Sequence, residues 1–128
     1  MSVLVVDADD DIRLVVQLTL ERLGGFEVAT ASTGAQALDL AAASRFDLVL
    51  LDVMMPDLSG PETLAALREI PEMRGVPVVF LTAKAMPDEV ERLLECGATG
   101  VIVKPFDPVA LPQQIRIYAE RGRDPPTA

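Results

Sequence analysis

The chain is poor in several residue types that usually give a sequence its character. It has no tryptophan, and aromatic residues make up only 4% of its 128 positions. Any core must therefore be aliphatic. A single cysteine, Cys96, excludes an internal disulfide and fits a reducing compartment. Near the end of a helical pattern, that thiol reads as a small apolar filler. Basic residues are outnumbered, 11 Lys and Arg against 20 Asp and Glu, and histidine is absent, for a net charge of −9. A surface this acidic argues against direct nucleic-acid binding, which needs basic patches. No stretch reads as a signal peptide, a membrane span or a repeat, so the expected location is cytoplasmic with no membrane contact.

Half of the residues are hydrophobic, and the length fits one domain. The organising stretch runs from Asp47 to Gly60. The apolar run Leu48-Val49-Leu50-Leu51 ends in Asp52, followed by a loop punctuated by Pro56 and Gly60. Such a run reads as a central parallel strand buried on both faces. Its last side chain is delivered to the carboxyl edge of the sheet, where open α/β sheets bind ligands.

The rest of the chain alternates around this strand. Val3 to Val6 is a first strand ending at Asp7, and Ile12, Val15, Val16, Leu20 and Leu23 then recur at helical spacing up to Gly24-Gly25. Phe26 to Thr30 predicts a second strand, and Ser32-Thr33 can cap a second helix reaching Ala43. Gly60-Pro61 opens a third helix with Leu64, Leu67 and Ile70 on its apolar face, and 71–77 reads as a loop. Val78 to Leu81 is a fourth strand ending at Thr82. Pro87 starts a fourth helix carrying Val90, Leu93 and Leu94, closed by Gly97. Thr99 to Val103 is a fifth strand ending at Lys104-Pro105. Asp107-Pro108 starts a last helix running to about Arg121, with Pro112 favouring a late or tight start. Five strand–helix units predict a parallel sheet covered on both faces, with right-handed crossovers.

Four strands thus end in Asp7, Asp52, Thr82 and Lys104, and packing gives no reason for such residues at one edge. Paired carboxylates attract a hard cation, and oxygen donors of this kind suit Mg²⁺. A carboxylate can also act as a nucleophile and form an aspartyl phosphate. Phosphoryl transfer needs positive charge and a hydrogen-bonding group on the transferred oxygens, which Lys104 and Thr82 supply. The set is coherent for capturing a phosphoryl group on Asp52.

Four motifs carry a family resemblance: Val-Leu-Val-Val-Asp at the start, Leu-Leu-Asp-Val-Met-Met-Pro-Asp-Leu-Ser-Gly, Phe-Leu-Thr-Ala, and Lys-Pro-Phe. Across residues 2–121 the chain resembles the receiver domain of two-component response regulators. That resemblance implies a flavodoxin-like, doubly wound (βα)5 fold. Its five-stranded parallel sheet runs in order 2-1-3-4-5, with helices on both faces. It implies a domain over residues 1–121, with 122–128 as a flexible tail or the start of a linker. Asp52 is then the phosphoacceptor, served by a sensor histidine kinase or a histidine phosphotransfer protein. Thr82 is the switch hydroxyl, Lys104 pairs with the phosphate, and the Lys104–Pro105 bond is expected to be cis. Asp7 and Asp52, with the backbone carbonyl of Met54, are expected to hold Mg²⁺. Ala83 leaves the site open to solvent and donor. The implied role is a phosphoacceptor switch rather than an enzyme. It promotes its own phosphotransfer and dephosphorylation and acts on a protein target that the sequence does not name.

The chain departs from the family pattern twice. Receivers usually carry two adjacent acids after the first strand, but here Asp7 is followed by Ala8, which predicts weak Mg²⁺ binding. Two accounts of Asp9 stand side by side: it replaces the missing acid, or with Asp10 and Asp11 it caps the first helix and faces its positive dipole end. The second departure is Val101, where receivers often carry Tyr or Phe. Valine is stiff at χ1, so a muted response is expected on the face formed by the fourth helix, fifth strand and fifth helix. Two further readings compete with the phosphorylation switch. Ala8 motivates a degenerate receiver that docks partners without phosphate. Asp7-Ala8-Asp9 also matches the Asp-x-Asp pattern of haloacid-dehalogenase-type phosphatases, with Asp7 as nucleophile and Asp9 as general acid. That reading leaves the Asp52 motif unexplained.

Overall fold

The computed structural model describes residues 1–84 and 86–123, the last two by backbone only. Five strands, β1 (Ser2–Val6), β2 (Glu27–Ala31), β3 (Leu48–Asp52), β4 (Val78–Thr82) and β5 (Gly100–Val103), form one sheet in the order β2-β1-β3-β4-β5. Every pairing is parallel. Five helices alternate with them: α1 (Asp10–Arg22), α2 (Gly34–Ala43), α3 (Gly60–Leu67), α4 (Pro87–Glu95) and α5 (Leu111–Arg123). The alternating pattern predicts such a parallel sheet, and its strand order is that of the flavodoxin-like architecture the family resemblance implies.

The period-2 geometry of a strand divides the core in two. Val3, Val5, Leu48, Leu50, Val79 and Leu81 pack beneath Val16 and Leu20 of α1 and Leu111, Ile115 and Ala119 of α5. Leu4, Val6, Val49, Leu51 and Phe80 face α2, α3 and α4 on the other side. Every residue of β3 and of β4 is buried, which explains why their sequences are apolar throughout rather than alternating.

Some local expectations need correction. The second strand lies one residue later than predicted. α3 stops at Leu67, and Ile70 instead leads into a single 3₁₀ turn, Pro71–Met73, which drives Met73 fully into the core. Leu94 is exposed and Leu93 alone of α4 is buried, because a nine-residue helix lying on the sheet presents a narrow stripe. Cys96 is exposed, not a filler: it is the C-cap of α4, on the solvent side of the turn that Gly97 completes at φ +102°. The last helix does start late. Asp107 closes a turn first, its carboxylate accepting from Val109 N–H and its carbonyl from Ala110 and Leu111 N–H. α5 then continues through Arg123, past the predicted start of the tail, whose residues 124–128 lie outside the described residues.

Candidate functional site

The register of the sheet brings the predicted residues together. Val6 pairs with Leu51, so Asp7 emerges beside Asp52. Asp52 pairs with Leu81 and Thr82 with Val103, which sets Thr82 and Lys104 on the other flank. The N–H of Lys104 extends the ladder by one bond to Thr82 O, 2.8 Å. Asp7 is fully buried, and Asp52 and Thr82 are 9% and 5% exposed. The ammonium of Lys104 reaches both acids, at 3.0 Å from Asp7 Oδ2 and 3.4 Å from Asp52 Oδ1. The Lys104–Pro105 peptide is cis, as the motif implies.

Each side chain is held by its own surroundings. Asp7 Oδ1 accepts from Asp9 N–H at 2.9 Å, and Arg13 Nη1 donates to the Asp7 carbonyl at 2.8 Å. Asp9 is the N-cap of α1, with Oδ1 accepting from the N–H groups of Asp11 and Ile12, and Asp10 pairs with Arg13. Of the two accounts of Asp9, the structure therefore displays the cap. Asp7, the nucleophile of the phosphatase reading, is fully buried. Thr82 Oγ1 donates to the Lys84 carbonyl and accepts from the Lys84 N–H, at 3.3 and 3.1 Å. The hydroxyl is thus engaged with its own loop rather than with Asp52.

The loop after β3 is shaped by a helix cap and by one close approach. Ser59 and Glu62 form a reciprocal capping box at the start of α3. Gly60 donates to Val53 O at 2.7 Å, and a Cβ there would lie 2.7 Å from Asp52 O, 2.8 Å from the Phe80 ring and 2.9 Å from Val53 Cα. Only glycine lets the first turn of α3 lie this close to the end of β3.

A cleft of about 480 Å³ opens over these residues, lined among others by Ala8, Asp9, Asp52, Met54, Thr82 and Lys104. Lys84 and Glu89, which the sequence pattern does not single out, also line it. The one available signal for Lys84 is its spacing from Thr82. Glu89 becomes visible only once α4 is placed. Burial, then the neighbouring charge of Asp7, push the Asp52 carboxyl above its usual range, while Lys104 pulls it back down.

The donor chemistry fits a hard cation. Two carboxylates converge, and Asp7 Oδ2 is completely buried with no hydrogen-bond partner, the Lys104 ammonium standing 3.0 Å from it. Among the described residues no group of three acidic, histidine or cysteine side chains gathers. A metal here would have to complete its shell with backbone carbonyl and water, as Mg²⁺ readily does.

A family model, the response regulator receiver domain, matches residues 3–116. The chain belongs to that family. As a receiver it is 42% identical over 119 residues to the DNA-binding response regulator MtrA of Mycolicibacterium paratuberculosis, covering 92% of this chain and 52% of that protein. The chain thus spans about half the length of the curated relatives it matches. Among solved structures it resembles the chemotaxis protein CheY4 of Vibrio cholerae, with 37% identity and a TM-score of 0.86 over 91% of this chain and 97% of that one. It also resembles the receiver domain of the sensor histidine kinase PA1611 of Pseudomonas aeruginosa, with 28% identity and a TM-score of 0.84 over 93% and 97% of the two chains. That receiver was solved with a magnesium ion coordinated in its active-site cleft. No helix among the described residues is long and apolar enough to cross a membrane.

Proposed function

We propose that this receiver, taken as a domain over residues 1–121, accepts a phosphoryl group on Asp52 from a phosphohistidine and thereby switches its contacts with a protein target. The donor would be a sensor histidine kinase or a histidine phosphotransfer protein. The observation that carries the reading is the convergence of Asp52, Thr82 and Lys104, from separate strand ends, on one open cleft, with the buried Asp7 behind them 3.0 Å from the Lys104 ammonium.

In the proposed step a carboxylate oxygen of Asp52 attacks phosphorus. The bond from phosphorus to the donor imidazole breaks, and the imidazole leaves with the electron pair and picks up a proton. Lys104, already 3.4 Å from Asp52, offsets the charge on the transferred oxygens. Thr82 gives up its hydrogen bond to Lys84 O and turns its hydroxyl to the phosphoryl group, which relays the event into the loop before α4. Ala83, also lining the cleft, leaves the approach open. Asp7, Asp52 and the Met54 carbonyl would hold a Mg²⁺ ion, whose charge would neutralise the phosphoryl oxygens. Ala8 puts a methyl group where a further carboxylate would strengthen that hold, so binding is weaker than in receivers with paired acids. Water entering the same cleft hydrolyses the aspartyl phosphate and resets the switch.

The test is intact mass after incubation with a small acyl phosphate, with and without Mg²⁺, alongside Asp52→Asn. A metal-dependent gain of one phosphoryl group, absent in the variant, is expected. No gain at any Mg²⁺ concentration or with a kinase supplied, and partner binding intact, would support phosphate-independent docking, the reading that Ala8 favours.

A further inference from the structure

We propose that Asp57 is a positioning residue for the phosphoacceptor site: it bolts the loop that carries Met54 to the first turn of α2. The proposal rests on the reading of Asp52 as phosphoacceptor.

The loop between β3 and α3 is tied at both ends. At its start Asp52 closes the ladder of β3. At its end Ser59 is locked by the capping box, and Gly60 N–H bonds Val53 O. Between these ties Met55, Pro56, Asp57 and Leu58 lie in no strand or helix. Here the Asp57 carboxylate reaches across 23 residues of chain and accepts from Gly34 N–H at 3.1 Å and Ala35 N–H at 3.0 Å, one oxygen to each. Leu58 seats beneath the same turn, its Cβ only 2.9 Å from where a side chain on Gly34 would begin.

The donors it uses are otherwise unclaimed. Thr33, the N-cap of α2, spends its hydroxyl on Gln36 N–H, and the first turn of α2 carries no acid of its own. A helix start leaves its first amides without internal partners, and its dipole favours a negative charge. Asp57 thus meets a demand that α2 does not meet locally. Its carboxyl sits below its usual range because these amides, Ala35 foremost, bind its charged form. The carboxylate is therefore fully ionised at neutral pH and acts as a fixed strut. Gly34 takes part through its missing side chain: a Cβ there would strike Thr63 Oγ1 at 2.6 Å. Removal of the strut frees the middle of the loop, and with it the Met54 carbonyl, while Asp52 itself stays anchored in β3.

The experiment compares Asp57→Ala and Asp57→Asn with Thr33→Ala, which weakens the start of α2 without touching the loop. Backbone amide exchange in the metal-free protein is the first readout. Exchange at Met54, whose N–H lies 3.5 Å from Asp52 Oδ1, should accelerate about ten-fold in Asp57→Ala, less in Asp57→Asn, and stay at the wild-type rate in Thr33→Ala. The second readout is Mg²⁺ titration followed by nuclear magnetic resonance. Asp57→Ala should raise the dissociation constant several-fold, again with no change in Thr33→Ala. If loop exchange is unchanged, or if both helix-cap variants alter it equally, Asp57 is only a cap for α2 and the proposal is overturned. Should the wild-type chain take up no phosphoryl group, the phosphoacceptor reading falls, while the exchange comparison still decides what Asp57 does to the loop.

Discussion

Replacing Gly60 by alanine should damage the protein through steric overlap at one point. The new Cβ would sit 2.7 Å from the Asp52 carbonyl oxygen, 2.9 Å from Val53 Cα and 2.8 Å from the ring of Phe80. The first two are backbone atoms of a fully buried central strand and its continuation, and the third belongs to a side chain with no exposed surface. None can give way cheaply, so α3 must move. Overpacking of this kind costs about 1–3 kcal/mol. Moving α3 also stretches the 2.7 Å bond from Gly60 N–H to Val53 O, which is worth about 1 kcal/mol. Alanine's better helix propensity returns less than about 1 kcal/mol at a first-turn position. The sum is about 2–3 kcal/mol, which for a domain of this size lowers the melting temperature by roughly 10 °C. Thermal unfolding followed by far-ultraviolet circular dichroism measures it. Phosphoryl uptake by the folded variant should fall too, because the displaced atoms belong to Asp52 and its neighbour. Gly97→Ala is the control: its φ of +102° strains any side chain, yet nothing lies within 4 Å, so it should cost stability and spare the site. A melting temperature for Gly60→Ala within about 2 °C of wild type would refute the close-approach argument.

Lys104→Met should leave the Asp7 and Asp52 carboxylates facing one another without a cation and cost about 3 kcal/mol in urea unfolding at neutral pH. Asp52 already has a raised carboxyl, so its ionised form opposes folding. Between its unfolded and folded values the native state binds the extra proton and stability falls as pH rises. The deficit of Lys104→Met should therefore shrink as pH is lowered through that range, and a pH-independent deficit would count against the electrostatic account. Asp9→Ala should cost about 1 kcal/mol of stability as a lost helix cap, with Mg²⁺ affinity unchanged by titration calorimetry. A large loss of affinity would restore Asp9 as a metal ligand. Val101 pairs with Phe80 and is half-buried among the residues around Leu93. Binding of a phosphoryl mimic should accordingly leave the amide shifts of Val101 and Leu93 small, and large shifts there would show that a stiff valine still transmits the switch.

Most of the site was legible because strand ends are determined by pattern. A short apolar run bounded by turn residues, within an alternation of strand and helix patterns, fits the middle of a covered sheet, so the polar residue that stops it, Asp52 or Thr82, surfaces at the edge. The loops were less legible because their contacts are non-local. Nothing near Asp57 in the sequence reveals that its partners are the amides of Gly34 and Ala35. Met73 escaped because a three-residue turn has no periodicity to read. Leu94 and Cys96 were misplaced because adjacent apolar residues on a short helix do not say which of them faces inward. For Asp9 the local chemistry of a helix start foretold the cap that the structure displays.

The dependence of the cleft on β5 has a consequence for how the protein comes into being. Asp7 and Asp52 belong to strands made early, whereas Lys104 follows the last strand in the chain and reaches them only once β5 has docked on β4. On the ribosome, then, the acids emerge well before their counter-charge. Until the fifth strand is released, the growing domain carries Asp7 and Asp52 without the lysine that sits between them in the finished sheet. The charge balance of the cleft therefore arrives in one step with completion of the sheet, and a chain ended before β5 would hold the two acids without it.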